Sequence, residues 1–208
     1  LYAVPQYIAD CVSLIARLDV ERVAWVGTSM GGLIGMSLAA LKGTPISRLV
    51  LNDVGPELSV EGLARIGDYV GKAPDFGSYE ECVRYTKTIA AGFGPHDDAG
   101  WDLLSRHYWV RKGDRWRVHY DPRIAEPFAE AARHGPVSLW SLYDAVSSPT
   151  LLIRGAQSDL LTSTVASDMT RRGPRARLVE FPGVGHAPSL IAPDQIHSIQ
   201  SFLEEAPI

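Results

Sequence analysis

The sequence predicts an α/β protein: a parallel sheet flanked by helices and interrupted by a mainly helical insertion. Three observations predict it. Short apolar runs that stop at glycine or a polar turn alternate with helix-period segments at both ends of the chain. One strand, one helix and a second strand follow closely between residues 22 and 53, which is the βαβ unit of parallel pairing. From Pro56 to Ala145 the rhythm is lost, and the chain turns richer in Trp, Tyr, Pro, Gly and charge.

The elements follow in order. Residues 6–18, QYIADCVSLIARL, put Ile8, Cys11, Val12, Ile15 and Leu18 on one helical face. Asp19-Val20-Glu21 breaks that period. The run 22-RVAWVG-27 is short, apolar and ends at glycine, as a buried parallel strand does. Residues 30–42 predict a helix packed on most sides, with Gly and Ala permitting close approach. The run 46-ISRLVLND-53 is a second strand of the same kind. Within 56–145, helical patches are predicted at 60–71, 79–93 and 98–109. A Lys112-Gly113-Asp114 turn between Val110-Arg111 and 115-RWRVHY-120 predicts a small hairpin. The α/β pattern returns with a third strand at 149-PTLLIRG-155, a helix at 163–172 and a fourth strand at 176-ARLVEFPG-183. A closing helix at 193–205 places Ile196, Ile199, Phe202 and Leu203 on one face. The predicted organisation is therefore a core over 1–55 and 146–208, with an insertion over 56–145.

Composition removes several functions. The 208 residues are 46% hydrophobic and 21% charged, ordinary for a soluble globular protein. A net charge of −4 lacks the basic excess of a nucleic-acid binder. The two cysteines, Cys11 and Cys82, form neither a disulfide framework nor a metal site, and both are expected as plain buried thiols. Low cysteine use fits a reducing compartment, so a cytoplasmic location is expected. No apolar run approaches the roughly 20 residues of a membrane span. The chain opens on Leu1 and not Met, and it is expected to be a fragment or a processed product.

The chemistry concentrates at 25-WVGTSMGG-32. Gly27-Thr28-Ser29-Met30-Gly31 fits G-x-S-x-G, in which a serine sits on a strained strand-to-helix turn with its hydroxyl standing clear. Small residues two before and two after leave room for the turn. Glycines alone would also let a helix pack on a sheet. The match falls where a strand ends and a helix opens, which selects the catalytic reading. A nucleotide loop does not fit, because no Lys-Ser/Thr follows the glycines.

A serine hydroxyl needs a base to take its proton, usually a histidine held by a carboxylate. His186 lies in 181-FPGVGHAP-188, just after the fourth strand, on the sheet edge that presents Ser29. Asp159 lies in 154-RGAQSD-159, after the third strand, on the same edge. Asp53 follows the second strand there and is its rival, with loop capping as its bland reading. The order Ser, Asp, His belongs to one particular fold. His197 is expected as a surface or packing residue, and His96, His107, His119 and His134 lie in the insertion, where one of them could line a pocket but none is assigned a catalytic role. Their spacing makes no zinc site, so no metal is expected.

On 27-GTSMGG-32, 154-RGAQSD-159 and 183-GVGHAP-188, the sequence resembles the α/β-hydrolase superfamily, in its esterase, lactonase and carbon–carbon hydrolase branch. The resemblance spans essentially the whole chain and implies an α/β-hydrolase fold with a helical cap at 56–145. It implies Ser29 as nucleophile, His186 as base and then acid, Asp159 as the residue orienting His186, and the Met30 N–H as half of an oxyanion hole. A serine at the elbow departs from the dehalogenase and epoxide hydrolase branches, which use a carboxylate there. The implied function is hydrolysis of an ester, thioester or lactone of small-molecule size, without a cofactor. Carbon–carbon bond hydrolysis and non-catalytic ligand binding are the alternatives. Trp101, Trp109, Trp116, Trp140 and Tyr143 suggest an apolar acyl pocket, with Trp140 placed nearest it, or else a cap core. Self-association is left open.

The resemblance also implies an eight-stranded sheet, of which the sequence spells the last four. An opening half of roughly eighty residues is expected upstream of Leu1. It would supply the second oxyanion N–H, whose loss costs roughly 10²–10³ in rate. The full-length protein is expected to be an enzyme and this chain alone a weak or inactive one. The strand at 22–27 is expected as an exposed edge.

Overall fold

A computed structural model describes residues 2–126 and 138–206. The core strands are β1 (Val23–Thr28), β2 (Ile46–Asn52), β6 (Thr150–Gly155) and β7 (Arg177–Phe181). They form one parallel sheet in the order β1-β2-β6-β7. All four carboxyl ends therefore lie along one edge. β2 and β6 are apolar at their centres, as strands covered on both faces are; Leu49, Val50, Leu51, Leu151, Leu152 and Ile153 are fully buried. Each such side chain contributes about 1.5–3 kcal/mol by leaving water. β1 is paired on one side only among the described residues, and Val26 is 43% exposed.

Helix α1 (Val4–Ala16) starts with proline in its first turn, where a missing N–H costs nothing. Tyr7, Ile8, Cys11 and Ile15 of α1 pack on the core. The rest of the predicted apolar face does not: Val12 and Leu18 are 44% and 56% exposed. Helix α2 (Met30–Ala39) packs against α1, β1 and β2. A Cβ at Gly35 would overlap the Trp25 ring, so glycine lets that indole lie flush on the helix. Helix α7 (Ser163–Met169), capped by Thr162, and helix α8 (Pro193–Glu204) complete the cover.

Between β2 and β6 the chain forms α3 (Val60–Gly67), β3 (Asp75–Phe76), α4 (Tyr79–Ile89), α5 (Asp98–Ser105), β4 (Trp109–Lys112), β5 (Arg115–Val118) and α6 (Trp140–Asp144). Serine or aspartate caps open α3, α4 and α5 through Ser59, Ser78 and Asp97, each worth about 1 kcal/mol. The expected hairpin is present. Lys112 pairs with Arg115 across Gly113-Asp114, and Gly113 has φ 65° as its turn demands. β3 adds a third antiparallel strand. Cys82, Trp109 and Val118 are buried here among Phe76, Tyr79, Tyr85, Tyr108, Trp116 and Tyr120. Burial pushes the Cys82 thiol up to about 11. Among the described residues no helix is long and apolar enough to cross a membrane.

Candidate active site

The parallel sheet brings four loops to one edge. β1 delivers Ser29, β2 delivers Asp53, β6 delivers Ser158 and Asp159, and the loop after β7 delivers His186. Ser29 has φ 51° and ψ −118°, the strained turn that its glycine neighbours predict. The glycines do not contribute equally. A Cβ at Gly27 would overlap the Gly31 carbonyl, and one at Gly32 would overlap Val54, whereas nothing stands near Gly31. Met30 is the first residue of α2, so its N–H has no acceptor within the helix and stays free for an anion.

His186 is 6% exposed. Its Nε2 lies 3.2 Å from Ser29 Oγ, and its Nδ1 lies 2.8 Å from Asp53 Oδ2. A carboxylate on Nδ1 assigns the proton there, leaving Nε2 to accept from the serine. Asp53 is fully buried, with φ 56°. Gly155 N–H donates to its Oδ1 at 2.8 Å, and Ser158 Oγ–H donates to its Oδ2 at 2.5 Å. Three groups, Gly155, Ser158 and His186, converge on this carboxyl, and no cationic side chain bonds it among the described residues. Such an arrangement is able to take a proton from Ser29 onto His186 Nε2.

The acid expected at Asp159 is therefore displaced: the carboxylate on His186 is that of Asp53. Arg65 on α3 takes Asp159 by a two-pronged ion pair through Nε and Nη2. Ser59 Oγ also bonds the Asp159 carbonyl. Asp159 lies four residues past β6, on a stretch that has already turned towards α3. Asp53 follows β2 directly and points at the histidine. The Arg65 guanidinium holds the Asp159 carboxyl below its ordinary range, with nearby His186 a lesser cause.

Trp140 is not shown at the site. Its Nε1 donates to Glu57 Oε1, Arg172 stacks on its ring 4.0 Å from the centroid, and Tyr143 meets it edge-on. Trp109 and Tyr143 are core residues, bonded to Thr86 Oγ1 and to the Met169 carbonyl. The expected aromatic pocket is thus largely spent on packing. His197 lies exposed on α8, His96 meets Trp101 edge-on, and His134 falls outside the described residues. Two residues carry signals the sequence reading missed. Ser158 holds Asp53, and Asn52 precedes it in a fully buried position. A polar pair, Asn52-Asp53, closing an apolar strand was the available hint.

Comparisons with known proteins identify the family. A family model described as "Alpha/beta hydrolase family" matches residues 1–198. A 3-hydroxybutyrate-oligomer hydrolase from Cupriavidus necator is 45% identical over 213 residues, covering 99% of this chain and 73% of its own length. An esterase from Mycobacterium tuberculosis is 30% identical over 165 residues, covering 75% of this chain and 51% of its own. The crystal structure of an alpha/beta hydrolase from Novosphingobium aromaticivorans superposes with a TM-score of 0.87 at 39% identity, over 98% of this chain and 72% of that one.

Proposed function

Because the chain belongs to the alpha/beta hydrolase family, we propose that it is a serine hydrolase of carboxylic esters working through Ser29, His186 and Asp53. The observation that carries the reading is the continuous bond path from Ser29 Oγ through His186 to Asp53, at 3.2 and 2.8 Å.

Ser29 Oγ attacks the ester carbonyl as its proton passes to His186 Nε2. The imidazolium so formed is stabilised by the Asp53 carboxylate on its Nδ1 side. The Met30 N–H supports the developing oxyanion. His186 then protonates the leaving alcohol, and a water activated by the same nitrogen clears the acyl-enzyme. The relative from Cupriavidus necator favours esters of short hydroxy acids as the substrate class. The segment 56–145 acts as a cap. In support, the Gly92 carbonyl accepts from the Gly185 N–H, one residue before the base, and Arg65 grips Asp159 on the same edge.

The test is labelling with a fluorophosphonate, mapped by mass spectrometry, on the chain and on Ser29→Ala and His186→Ala. The label is expected on Ser29 and lost in both variants. A label on another residue, or one indifferent to His186, would defeat the proposal.

A further inference from the structure

We infer that Asn52 is a positioning residue that sets the separation of Ser29 and His186, an inference that rests on the serine-hydrolase reading above. Asn52 closes β2 and is fully buried. Its backbone carbonyl accepts from the Ser29 N–H at 3.0 Å. Its Nδ2 donates to Thr28 Oγ1 at 2.9 Å and to the Pro188 carbonyl at 2.9 Å. One amide group thus ties the residue before the nucleophile to the loop that carries the base. Apart from the Ser29–His186 bond itself, no other side-chain hydrogen bond among the described residues joins Thr28-Ser29 to residues 183–188.

The other half of the amide points to the same role. Asn52 Oδ1 is buried and accepts no hydrogen bond among the described residues. A buried amide needs partners for its polar atoms, and leucine would fill a similar volume without that demand. Packing alone therefore gives little reason for an asparagine here. What the side chain supplies is two N–H donors aimed at the two loops whose spacing decides proton transfer. That spacing is sensitive, because the Ser29–His186 distance of 3.2 Å sits at the long limit for such a bond.

The experiment compares the chain with Asn52→Leu, Asn52→Asp and Asn52→Ser. Three quantities are read: the rate of fluorophosphonate labelling, kcat and KM on p-nitrophenyl butyrate, and amide hydrogen exchange in a peptide spanning 183–190. Misplacement of a reacting group by about 1 Å costs up to roughly a hundredfold, so Asn52→Leu should lower labelling and kcat by about 10- to 100-fold, with KM within about threefold. Exchange over 183–190 should quicken, also in a Ser29→Ala background where activity plays no part. Asn52→Asp keeps the shape and loses both donors, so it should lower labelling and kcat and quicken exchange over 183–190 as Asn52→Leu does. Asn52→Ser carries the same comparison should the leucine variant not fold. Labelling of a folded Asn52→Leu at the wild-type rate would overturn the inference, as would unchanged exchange over 183–190. Absence of a Ser29 label on the full-length protein as well as on this chain would instead sink the serine-hydrolase reading, while exchange in the Ser29→Ala background still decides whether Asn52 tethers the loop.

Discussion

Replacing Asp53 by asparagine separates the two carboxylates that follow parallel strands onto the catalytic edge. Asp53 accepts from Gly155 N–H through Oδ1 and from His186 and Ser158 through Oδ2. In Asp53→Asn the amide oxygen is expected to keep Gly155, because a backbone donor cannot turn away. The new NH2 then faces His186 Nδ1 and Ser158 Oγ. Ser158 rotates its hydroxyl and accepts, but His186 must offer a bare Nδ1. The ring proton moves to Nε2, where it faces Ser29, and the base is lost. The same change in serine-protease triads costs about 10⁴ in kcat. With a partly exposed Ser29 the expected loss in kcat/KM is about 10³–10⁴, or roughly 4–5.5 kcal/mol at 1.36 kcal/mol per tenfold. Asp159→Asn changes only a surface pair with Arg65, whose side chains are 39% and 38% exposed, so kcat/KM should stay within about threefold. Both variants would be assayed on p-nitrophenyl butyrate with fluorophosphonate titration of active sites. A deeper loss in Asp159→Asn than in Asp53→Asn would refute the assignment, as would an Asp53→Asn loss of less than tenfold.

Three further outcomes rest on the same packing and electrostatics. Gly32→Ala should cost about 1–3 kcal/mol in urea unfolding through its overlap with Val54, while Gly31→Ala, with open space around it, should unfold at the wild-type midpoint; equal losses would contradict the packing. The Asp159 carboxyl is lowered in the fold by Arg65, so its contribution to stability is complete above the ordinary aspartate value near 4 and fades as pH falls through the folded value. Asp159→Asn should therefore flatten stability against pH below about 4 and leave the slope near neutrality alone, as followed by thermal melts. Cys82, with its thiol raised to about 11, should resist a disulfide reagent at pH 8 in the native protein and react on unfolding; native reaction at the rate of a free thiol would show that the α4 side of the aromatic cluster opens.

Much of the molecule is legible before folding because its signals are local. The strands announce themselves as apolar runs, and their observed limits differ from the expected ones by a residue or two. The Ser29 elbow is legible because backbone sterics confine such a turn to small neighbours, and His186 because a glycine-rich loop after a strand places it on the same edge. Local reasoning fails where two sites offer the same pattern. Gly31 and Gly32 are both glycines after the serine, yet only Gly32 meets a side chain, that of Val54. The tryptophans look alike in sequence, and packing assigned Trp109 to a core and stacked Trp140 beneath Arg172.

The sequence by itself determined the parallel α/β core, the turn that carries Ser29 and the loop that carries His186. Each depends on residues within a few positions of one another. Only the tertiary structure decided which carboxylate serves the histidine. Asp53 and Asp159 both follow strands of one sheet onto one edge. The choice depends on Arg65, which captures Asp159 from a helix 94 residues away in sequence, and on Ser158 and Gly155, which close around Asp53 from the neighbouring strand. No local pattern encodes such distant donors, because their effect exists only once the chain has brought them within hydrogen-bond reach.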